Sequence, residues 1–311
     1  MTLNTPILFL IFNRPKTTQK VFDAIRKAKP KKLYVAADGP RKNKIGEKEL
    51  CEVTRAIIKQ VDWPCKVKTL FRKENLGCGK AVSLGITWFF DNEKMGIILE
   101  DDCLPDPSFF PYCKNLLEKY KDNEKVMMIS GDNFISEKVK LKESYYFSRY
   151  CHIWGWASWR RAWKKYDYNM LKWPEFESCG KINSYFSSFE ERFFWERTFD
   201  LAYRHKISSW DAQWGFACLS NEGCAINPSV NLVSNIGFGD DSTHTFGSNP
   251  IFSALRVKPI LNIIHPKRIS VDEKTDYTSF KLIFGKSNLE LTRLVFMEFC
   301  KKIVRLIEGI F

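Results

Sequence analysis

Residues 96–110 read GIILEDDCLPDPSFF, and this stretch decides the fold of the chain. A run of three apolar residues at 97–99 leads directly into the carboxylates Glu100, Asp101 and Asp102. A continuous apolar run is typical of a buried strand in an α/β sheet, and ligands bind at the carboxyl ends of such strands. The stretch therefore predicts an α/β fold with a binding site at one edge of its sheet.

Three adjacent carboxylates repel one another unless a cation or hydrogen-bond donors offset their charge. Asp and Glu oxygens are ligands that suit Mg²⁺ and Mn²⁺. One interpretation is therefore a divalent-metal site that holds a diphosphate. The other is a solvated turn, in which Pro105 and Pro107 would be ordinary loop residues.

The composition is that of a folded globular protein, with 44% hydrophobic and 15% aromatic residues in a chain of 311. This length allows one large α/β domain or two small ones. The net charge of +13 indicates an anionic partner such as nucleic acid, an anionic membrane or a phosphorylated small molecule. Because no nucleic-acid-binding module is recognisable, we expect no nucleic-acid partner.

No segment has the pattern of a signal peptide or a membrane-spanning helix. The apolar run at residues 7–12 is too short for a signal sequence and has no cationic segment before it. No window reaches the roughly 18 apolar residues of a spanning helix. The ten cysteines contain no Cys-x-x-Cys pair, so reduced thiols are favoured over disulfides. These features predict a soluble, cytoplasmic protein.

The N-terminal part alternates strands and helices. We predict strands at residues 6–12, 33–37 and 67–71, with helices that end near residues 29 and 60. Thr17 or Thr18 is the predicted N-cap of the first helix. The first turn, Asn13-Arg14-Pro15, contains no glycine, so the dinucleotide-binding fingerprint is absent.

Residues 77–80, Gly-Cys-Gly-Lys, resemble a phosphate-binding loop only superficially. A Walker loop needs a further glycine five residues before Gly79 and a Ser or Thr after Lys80, and the chain has Glu and Ala there. A flexible turn into a helix is therefore favoured, and contact of Lys80 or Arg72 with a phosphate is the alternative.

The second half of the chain is rich in tryptophan. We predict further helices at residues 109–120, 189–205 and 211–219, and strands at residues 126–130, 145–149 and 228–234. Core packing is the favoured role of Trp159 and Trp163. Trp154 and Trp156 flank Gly155, which indicates a tight turn near a ligand, where a sugar ring would stack on an aromatic face.

Asp211 opens a predicted helix directly after Trp210, and its carboxylate is interpreted either as a helix cap or as a general base. The polar, Gly-rich loop at residues 235–247 is typical of an active-site lid. The tail at residues 288–311 is amphipathic and basic. For this tail, an interfacial helix on anionic lipid is weighed against a helix packed on the core.

The acidic stretch, the Trp-Gly-Trp block, the Trp-Asp-Ala-Gln-Trp sequence at 210–214 and the Gly-rich loop occur in an order that resembles a known family. The chain resembles the GT-A-fold nucleotide-sugar glycosyltransferases, and most of all the N-acetylglucosaminyltransferase I type and its bacterial relatives. The resemblance spans residues 6–247. Its most specific part is Leu-Glu-Asp-Asp at 99–102 followed by Pro-Ser-Phe-Phe at 107–110, in which Ser108 replaces the Asp of the family.

The resemblance implies an α/β fold with a Rossmann-like, mixed and mainly parallel sheet flanked by helices. The transferase domain would span residues 1–250, and residues 251–311 would form a C-terminal extension that ends in the basic helix. It also implies a metal-dependent reaction with Mn²⁺ or Mg²⁺, for which Asp102 would be the direct ligand.

The resemblance further implies roles for the residues that match the family's motifs. Donor contacts are expected from Asn13, Arg14, Asp38, Glu100, Asp101 and Asp102, to which the sequence adds Arg72 and Lys80. Acceptor or sugar contacts are expected from Trp154, Gly155, Trp156 and Trp210. Asp211 would be the base, and the lid would contain Gly237, Gly239 and His244. Asp240 and Asp241 depart from the family, because a lid over a diphosphate is expected to carry cations.

The sequence thus predicts a glycosyltransferase that moves a hexosyl or N-acetylhexosaminyl group from a nucleotide-sugar donor, with a UDP-sugar favoured. The acceptor would be a hydroxyl of a glycan, free or lipid-linked, and single-step attack would invert the anomeric centre. A nucleotidyltransferase or pyrophosphorylase, or an inactive binding protein of the same fold, is the alternative. The base, sugar, linkage and oligomeric state stay open.

Overall fold

The computed structural model describes residues 2–186, 188–237 and 255–285. The strands are β1 Ile7–Ile11, β2 Lys32–Ala37, β3 Lys66–Phe71, β4 Met95–Glu100, β5 Cys103–Pro105, β6 Val126–Ser130, β7 Tyr145–Ser148, β8 Trp156–Trp159, β9 Cys224–Pro228 and β10 Val233–Asn235. The helices are α1 Pro15–Ala28, α2 Glu47–Ala56, α3 Cys78–Asn92, α4 Phe109–Lys119, α5 Arg160–Trp163, α6 Trp173–Ser178, α7 Phe189–Tyr203, α8 Asp211–Ser220 and α9 Glu273–Ile283. Short 3₁₀ turns lie at Ile57–Gln60 and Lys181–Ser184.

Eight strands form one sheet in the order β3-β2-β1-β4-β8-β6-β9-β7. Strands β1 to β4, β6 and β9 run in one direction, whereas β8 is antiparallel to β4 and β6, and β7 is antiparallel to β9. Strands β5 and β10 form a separate antiparallel pair. The predicted mixed, mainly parallel sheet flanked by helices is confirmed.

Both faces of the sheet are covered by apolar clusters, and β1 explains why. All five residues of β1 are buried, and alternate side chains enter different clusters. Ile7 and Phe9 pack with α1 and α4, whereas Leu8 and Leu10 pack with α3 and α8. A strand covered on both sides needs apolar residues at every position, which is the continuous run seen in the sequence.

Two local predictions differ from the structure. Helix α1 begins at Pro15 rather than after a Thr17 or Thr18 cap, because proline fits the first helical position, where its missing N–H is not needed. The hydroxyls of both threonines instead donate to the carbonyl oxygen of Arg14. The single strand predicted at residues 228–234 is wrong, because these residues form only the end of β9 and the start of β10, and strands β8 and β9 were otherwise not predicted.

The described part of the C-terminal extension, residues 255–285, packs along the sheet. The N–H groups of Ile260 and Ile264 donate to the hydroxyls of Ser108 and Ser144, respectively. In α9, Asp276 accepts the hydroxyl of Ser148 at the end of β7. The predicted tail helix at residues 288–311 lies outside the described residues. Among the helices that are described, none is long and apolar enough to cross a membrane.

Gly96 in β4 gives a direct test of this packing. A methyl group on Gly96 would lie 2.3 Å from the ring of Phe89 and 2.8 Å from the carbonyl oxygen of Pro6. Gly96→Ala is therefore expected to lower the free energy of unfolding by about 1–3 kcal/mol, the usual cost of overpacking a core. Urea denaturation measures this change.

Gly215→Ala is the matched control, because a Cβ at this position in α8 meets nothing within 4 Å. Alanine favours a helix interior by roughly 1 kcal/mol over glycine, so the control should be as stable as the parent or more stable. Equal stabilities for the two variants would contradict the close packing of β4 on α3.

Candidate active site

The carboxyl ends of β1, β2 and β4 meet at one edge of the sheet. Ile11 pairs with Ala37 of β2, and Leu10 pairs with Glu100 of β4. This register brings the turn after β1, the residue after β2 and the acidic end of β4 side by side. The candidate site is built on this edge, where the sequence predicted it.

Asp101 and Asp102 are bound by the turn that follows β1. The backbone N–H of Phe12 donates to Asp101 Oδ2 at 3.1 Å. Arg14 Nη1 lies 2.9 Å from Asp102 Oδ2 and 3.8 Å from Asp101 Oδ1. The three side chains are 11–18% exposed, so this is a largely buried charge pair and not a solvated turn.

The edge keeps an excess of negative charge. Burial, together with the charges of Asp102, Asp101 and Asp211, raises the pKa of Glu100 to about 8 against the opposing effect of Arg14. Burial and Asp102 likewise raise the pKa of Asp101 to about 7. The charged forms of these acids repel one another at a partly buried edge, and a cation or further hydrogen-bond donors would relieve that repulsion.

Asp38 anchors the loop before α3, a role that the sequence did not indicate. Its carboxylate is 9% exposed and accepts the N–H groups of Gly39, Leu76 and Gly77 at 2.9–3.1 Å. The side-chain amide of Asn75 donates to the same carboxylate at 3.0 Å. Both oxygens are thus used to hold the loop before α3, and a direct contact of Asp38 with the donor stays a prediction.

Asn13 also faces the protein. Its side-chain amide donates to Glu47 Oε1 at 3.0 Å, and Glu47 is 4% exposed at the start of α2. Arg41 binds the same carboxylate through its backbone N–H and its guanidinium, and this guanidinium lies over the ring of Phe12. Glu47 and Arg41 were missed by sequence reasoning, because a buried acid in a polar loop has no periodic pattern.

The start of α3 lies near the acidic end of β4, although no phosphate-loop motif is present. Burial raises the pKa of Cys78 to about 12, and the charges of Glu100 and Asp211 contribute to this shift. Lys80, in the first turn of α3, is exposed. Arg72 is half-buried beside Asp38, and burial lowers its pKa against the opposing effect of that carboxylate.

Asp211 begins α8, as predicted, and it faces the same region. The carboxylate accepts the N–H of Ala212 at 3.0 Å, while its own N–H donates to Ser209 Oγ at 3.3 Å. A Cβ on Gly79 would lie 2.9 Å from the carbonyl oxygen of Ser209, so α3 and the start of α8 are in close contact. Since the charge of Asp211 raises the pKa of Glu100, both carboxylates are within electrostatic reach.

The tryptophans near the site differ in burial. Trp156 and Trp210 are 0% and 2% exposed and stack on one another with their ring centroids 5.6 Å apart. Neither ring presents a face to solvent, which corrects their expected role in stacking on a sugar. Trp154 is half-buried, with its ring edge-on to Phe134 at 4.9 Å. Gly155 has φ +63°, the turn that the flanking tryptophans indicated.

The first residues of the Gly-rich loop, Ile236 and Gly237, contact Asp102. The N–H of Ile236 donates to the backbone carbonyl oxygen of Asp102 at 2.8 Å. A Cβ on Gly237 would lie 2.4 Å from Asp102 Oδ2, so a larger residue here would push against the Asp102 side chain. Gly239 and His244, as well as Asp240 and Asp241, lie outside the described residues.

The described residues offer few ligands for a divalent cation. Within the described residues, no three His, Cys, Asp or Glu side chains converge on a point that could hold a metal ion. Asp102 supplies a carboxylate at the mouth of the edge. Mg²⁺ and ions like it are held by one or two carboxylates together with substrate phosphates, so Asp102 fits a cation that a bound diphosphate shares.

Asp132 is a further acid at this edge that the sequence did not single out. It follows β6, is fully buried and accepts the hydroxyl of Ser130 at 2.7 Å. Burial raises its pKa to about 7. The signal was present, since an acid directly after an apolar strand is the pattern that identified Glu100.

Comparisons with known proteins identify no family. No protein-family model matches the chain, and no curated protein sequence matches it. HddC from Yersinia pseudotuberculosis has a TM-score of 0.31 and 11% identity, over 50% of this chain and 77% of that one. An apo UDP-glucose pyrophosphorylase has a TM-score of 0.35 and 11% identity, over 71% of this chain and 90% of that one. The 4-diphosphocytidyl-2C-methyl-D-erythritol synthase from Anaerococcus prevotii has a TM-score of 0.35 and 8% identity, over 80% of this chain and 97% of that one. Values this low carry no inference about activity.

The anchoring role of Asp38 is testable. Asp38→Asn keeps the shape of the side chain but turns an NH₂ group toward backbone donors. We expect a loss of about 1–3 kcal/mol in the free energy of unfolding, the cost of leaving buried groups unsatisfied. Hydrogen exchange at Leu76 and Gly77 should become faster, which mass spectrometry measures together with urea denaturation.

Glu118→Gln is the control, because this side chain is 54% exposed and should change stability by no more than about 0.5 kcal/mol. Unchanged exchange at residues 76 and 77 in Asp38→Asn would show that the carboxylate does not anchor the loop.

Proposed function

We propose that the chain is a glycosyltransferase that moves a sugar from a nucleotide-diphosphate sugar, with a UDP-sugar favoured, to a hydroxyl of an acceptor glycan. The observation that carries the proposal is the pairing of Arg14 with Asp102 at the acidic end of β4, with Asp211 within electrostatic reach of the neighbouring Glu100. An arginine and a cation-binding carboxylate suit a diphosphate, and a second carboxylate in reach suits a proton acceptor.

The donor side of the site depends on charge. A diphosphate would enter an edge that already has excess negative charge, so its binding requires cations. Arg14 is a bidentate donor that matches phosphate oxygens, and the exposed Lys80 supplies a second positive charge near the start of α3. A divalent cation, held by Asp102 and the diphosphate oxygens, would supply further neutralisation of the leaving group.

The acceptor side is assigned to Asp211 and Trp154. Asp211 would take the proton from the attacking hydroxyl, because its carboxylate lies at the edge rather than in the core. The half-buried ring of Trp154 can pack against a sugar, whereas Trp156 and Trp210 support the site from the core. Attack of the hydroxyl in a single step would invert the anomeric centre.

A direct assay tests the proposal against the sequence-based alternatives. The full chain is incubated with Mn²⁺, a panel of nucleotide sugars and glycan acceptors, and the products are identified by mass spectrometry. Release of nucleoside diphosphate with a glycosylated acceptor is expected. Formation of nucleoside triphosphate from a nucleotide sugar and pyrophosphate would instead identify a pyrophosphorylase. Absence of any thermal stabilisation by nucleotides would contradict donor binding.

Asp211→Asn tests the base. The amide oxygen of asparagine can still accept the N–H of Ala212, so stability should hold, but asparagine cannot accept the proton. We expect kcat to fall by ~10² or more while the Kd for the donor stays the same, in line with the contribution of a positioned base. Initial rates and isothermal titration measure the two quantities.

Asp62→Asn is the matched control, because Asp62 is 67% exposed beside Arg26 and lies in the loop before β3. Its transfer rate should equal that of the parent. If Asp211→Asn also keeps the parental rate, Asp211 is a helix cap and the assignment of the base fails.

Asp102→Asn tests the metal-linked part of the donor site. The amide removes the charge that would hold a cation beside the diphosphate, so the gain in donor affinity on adding Mn²⁺ should be lost. Titration of UDP with and without Mn²⁺ measures this gain. An undiminished effect of Mn²⁺ in this variant would place the cation elsewhere.

A further inference from the structure

The carboxylate that suits a metal ion already has a cation on it. Arg14 Nη1 lies 2.9 Å from Asp102 Oδ2, and the same nitrogen lies 3.8 Å from Asp101. Only 18% of the arginine side chain and 17% of the Asp102 side chain are exposed. Salt and water therefore screen this pair much less than they screen an exposed one.

The backbone of Arg14 is fixed, although its side chain spans the edge. The hydroxyls of Thr17 and Thr18 donate to the Arg14 carbonyl oxygen at 3.2 and 2.7 Å, and the N–H of Thr18 donates to it at 3.0 Å. A change of partner by Arg14 thus requires rotation of its side chain alone. The guanidinium is always charged, so it cannot leave Asp102 by losing a proton.

A divalent ion and a guanidinium cannot share one Asp102 oxygen without strong repulsion. A displaced Arg14 would lose its 2.9 Å ion pair with Asp102, and the loss of a close anion in a mostly buried position is costly. A diphosphate brings such an anion, with oxygens that match the guanidinium fork. The ligand that needs the metal is therefore also the ligand that can release the arginine.

We propose that Arg14 holds the cation position on Asp102 in the donor-free protein, so that a divalent metal ion enters only together with a diphosphate that takes over Arg14. Arg14 is in this sense a positioning residue that couples metal binding to donor binding. The coupling to the diphosphate rests on the proposed function, whereas the exclusion of free metal by Arg14 does not.

Binding of Mn²⁺ alone to the full chain, followed by electron paramagnetic resonance of the unbound ion, tests the exclusion. Arg14→Gln removes the positive charge from Asp102, and the Kd for Mn²⁺ should tighten by at least about tenfold, since a like charge at ~4 Å is removed. The double variant Arg14→Gln/Asp102→Asn should lose this gain. Arg14→Lys, which keeps the charge, should bind Mn²⁺ as the parent does.

Arg204→Gln is the matched control, because Arg204 pairs with Asp200 and not with Asp102, and it should leave the affinity for Mn²⁺ unchanged. A second comparison needs no change at Arg14. If Arg14 occupies Asp102, then Asp102→Asn and the parent should bind Mn²⁺ alone equally weakly. Tighter binding by the parent, or no gain in Arg14→Gln, would overturn the proposal.

Addition of UDP separates this inference from the proposed function. UDP should raise the melting temperature of the parent in the presence of Mn²⁺ and should draw Mn²⁺ onto the protein. If UDP and other nucleoside diphosphates do neither, while Arg14→Gln still gains affinity for Mn²⁺, the donor assignment fails and the exclusion by Arg14 stands.

Discussion

The burial of carboxylates at the end of a central strand is the constraint on which the rest of the site depends. Strand β4 lies in the middle of the sheet and carries its acids directly into the edge. Such charges are stable only when donors and cations meet them. The N–H of Phe12 and the guanidinium of Arg14 fill that need for Asp101 and Asp102, and this ties the turn after β1 to the end of β4.

The surrounding loops are anchored by acids that face inward. Asp38 accepts hydrogen bonds from backbone N–H groups of the loop before α3, and Glu47 accepts hydrogen bonds from the side chains of Asn13 and Arg41. Each carboxylate joins segments from different strands, so the edge is held in shape before any ligand arrives. A preorganised edge lowers the ordering cost of binding a ligand.

The polar side chains at the sheet edge are available for function, because apolar and aromatic side chains fill the core. Trp156 and Trp210 are buried in a stacked cluster that supports β4 and β8 from below. Glu100 has a pKa raised to about 8 by burial and by neighbouring acids, a state that a bound cation would relieve. The acids at this edge contrast with the net charge of +13 of the whole chain.

The sequence by itself determined the α/β sheet, the acidic end of β4 and the helix start at Asp211, because these follow from local periodicity and from residues adjacent in the chain. Only the tertiary structure decided which polar groups face a ligand. Asn13 meets Glu47 across 34 positions, and Asp38 meets Gly77 across 39. Neither partner has a local pattern that identifies the other. Trp154 and Trp156 look alike in sequence, yet their different exposure depends on which elements pack over them.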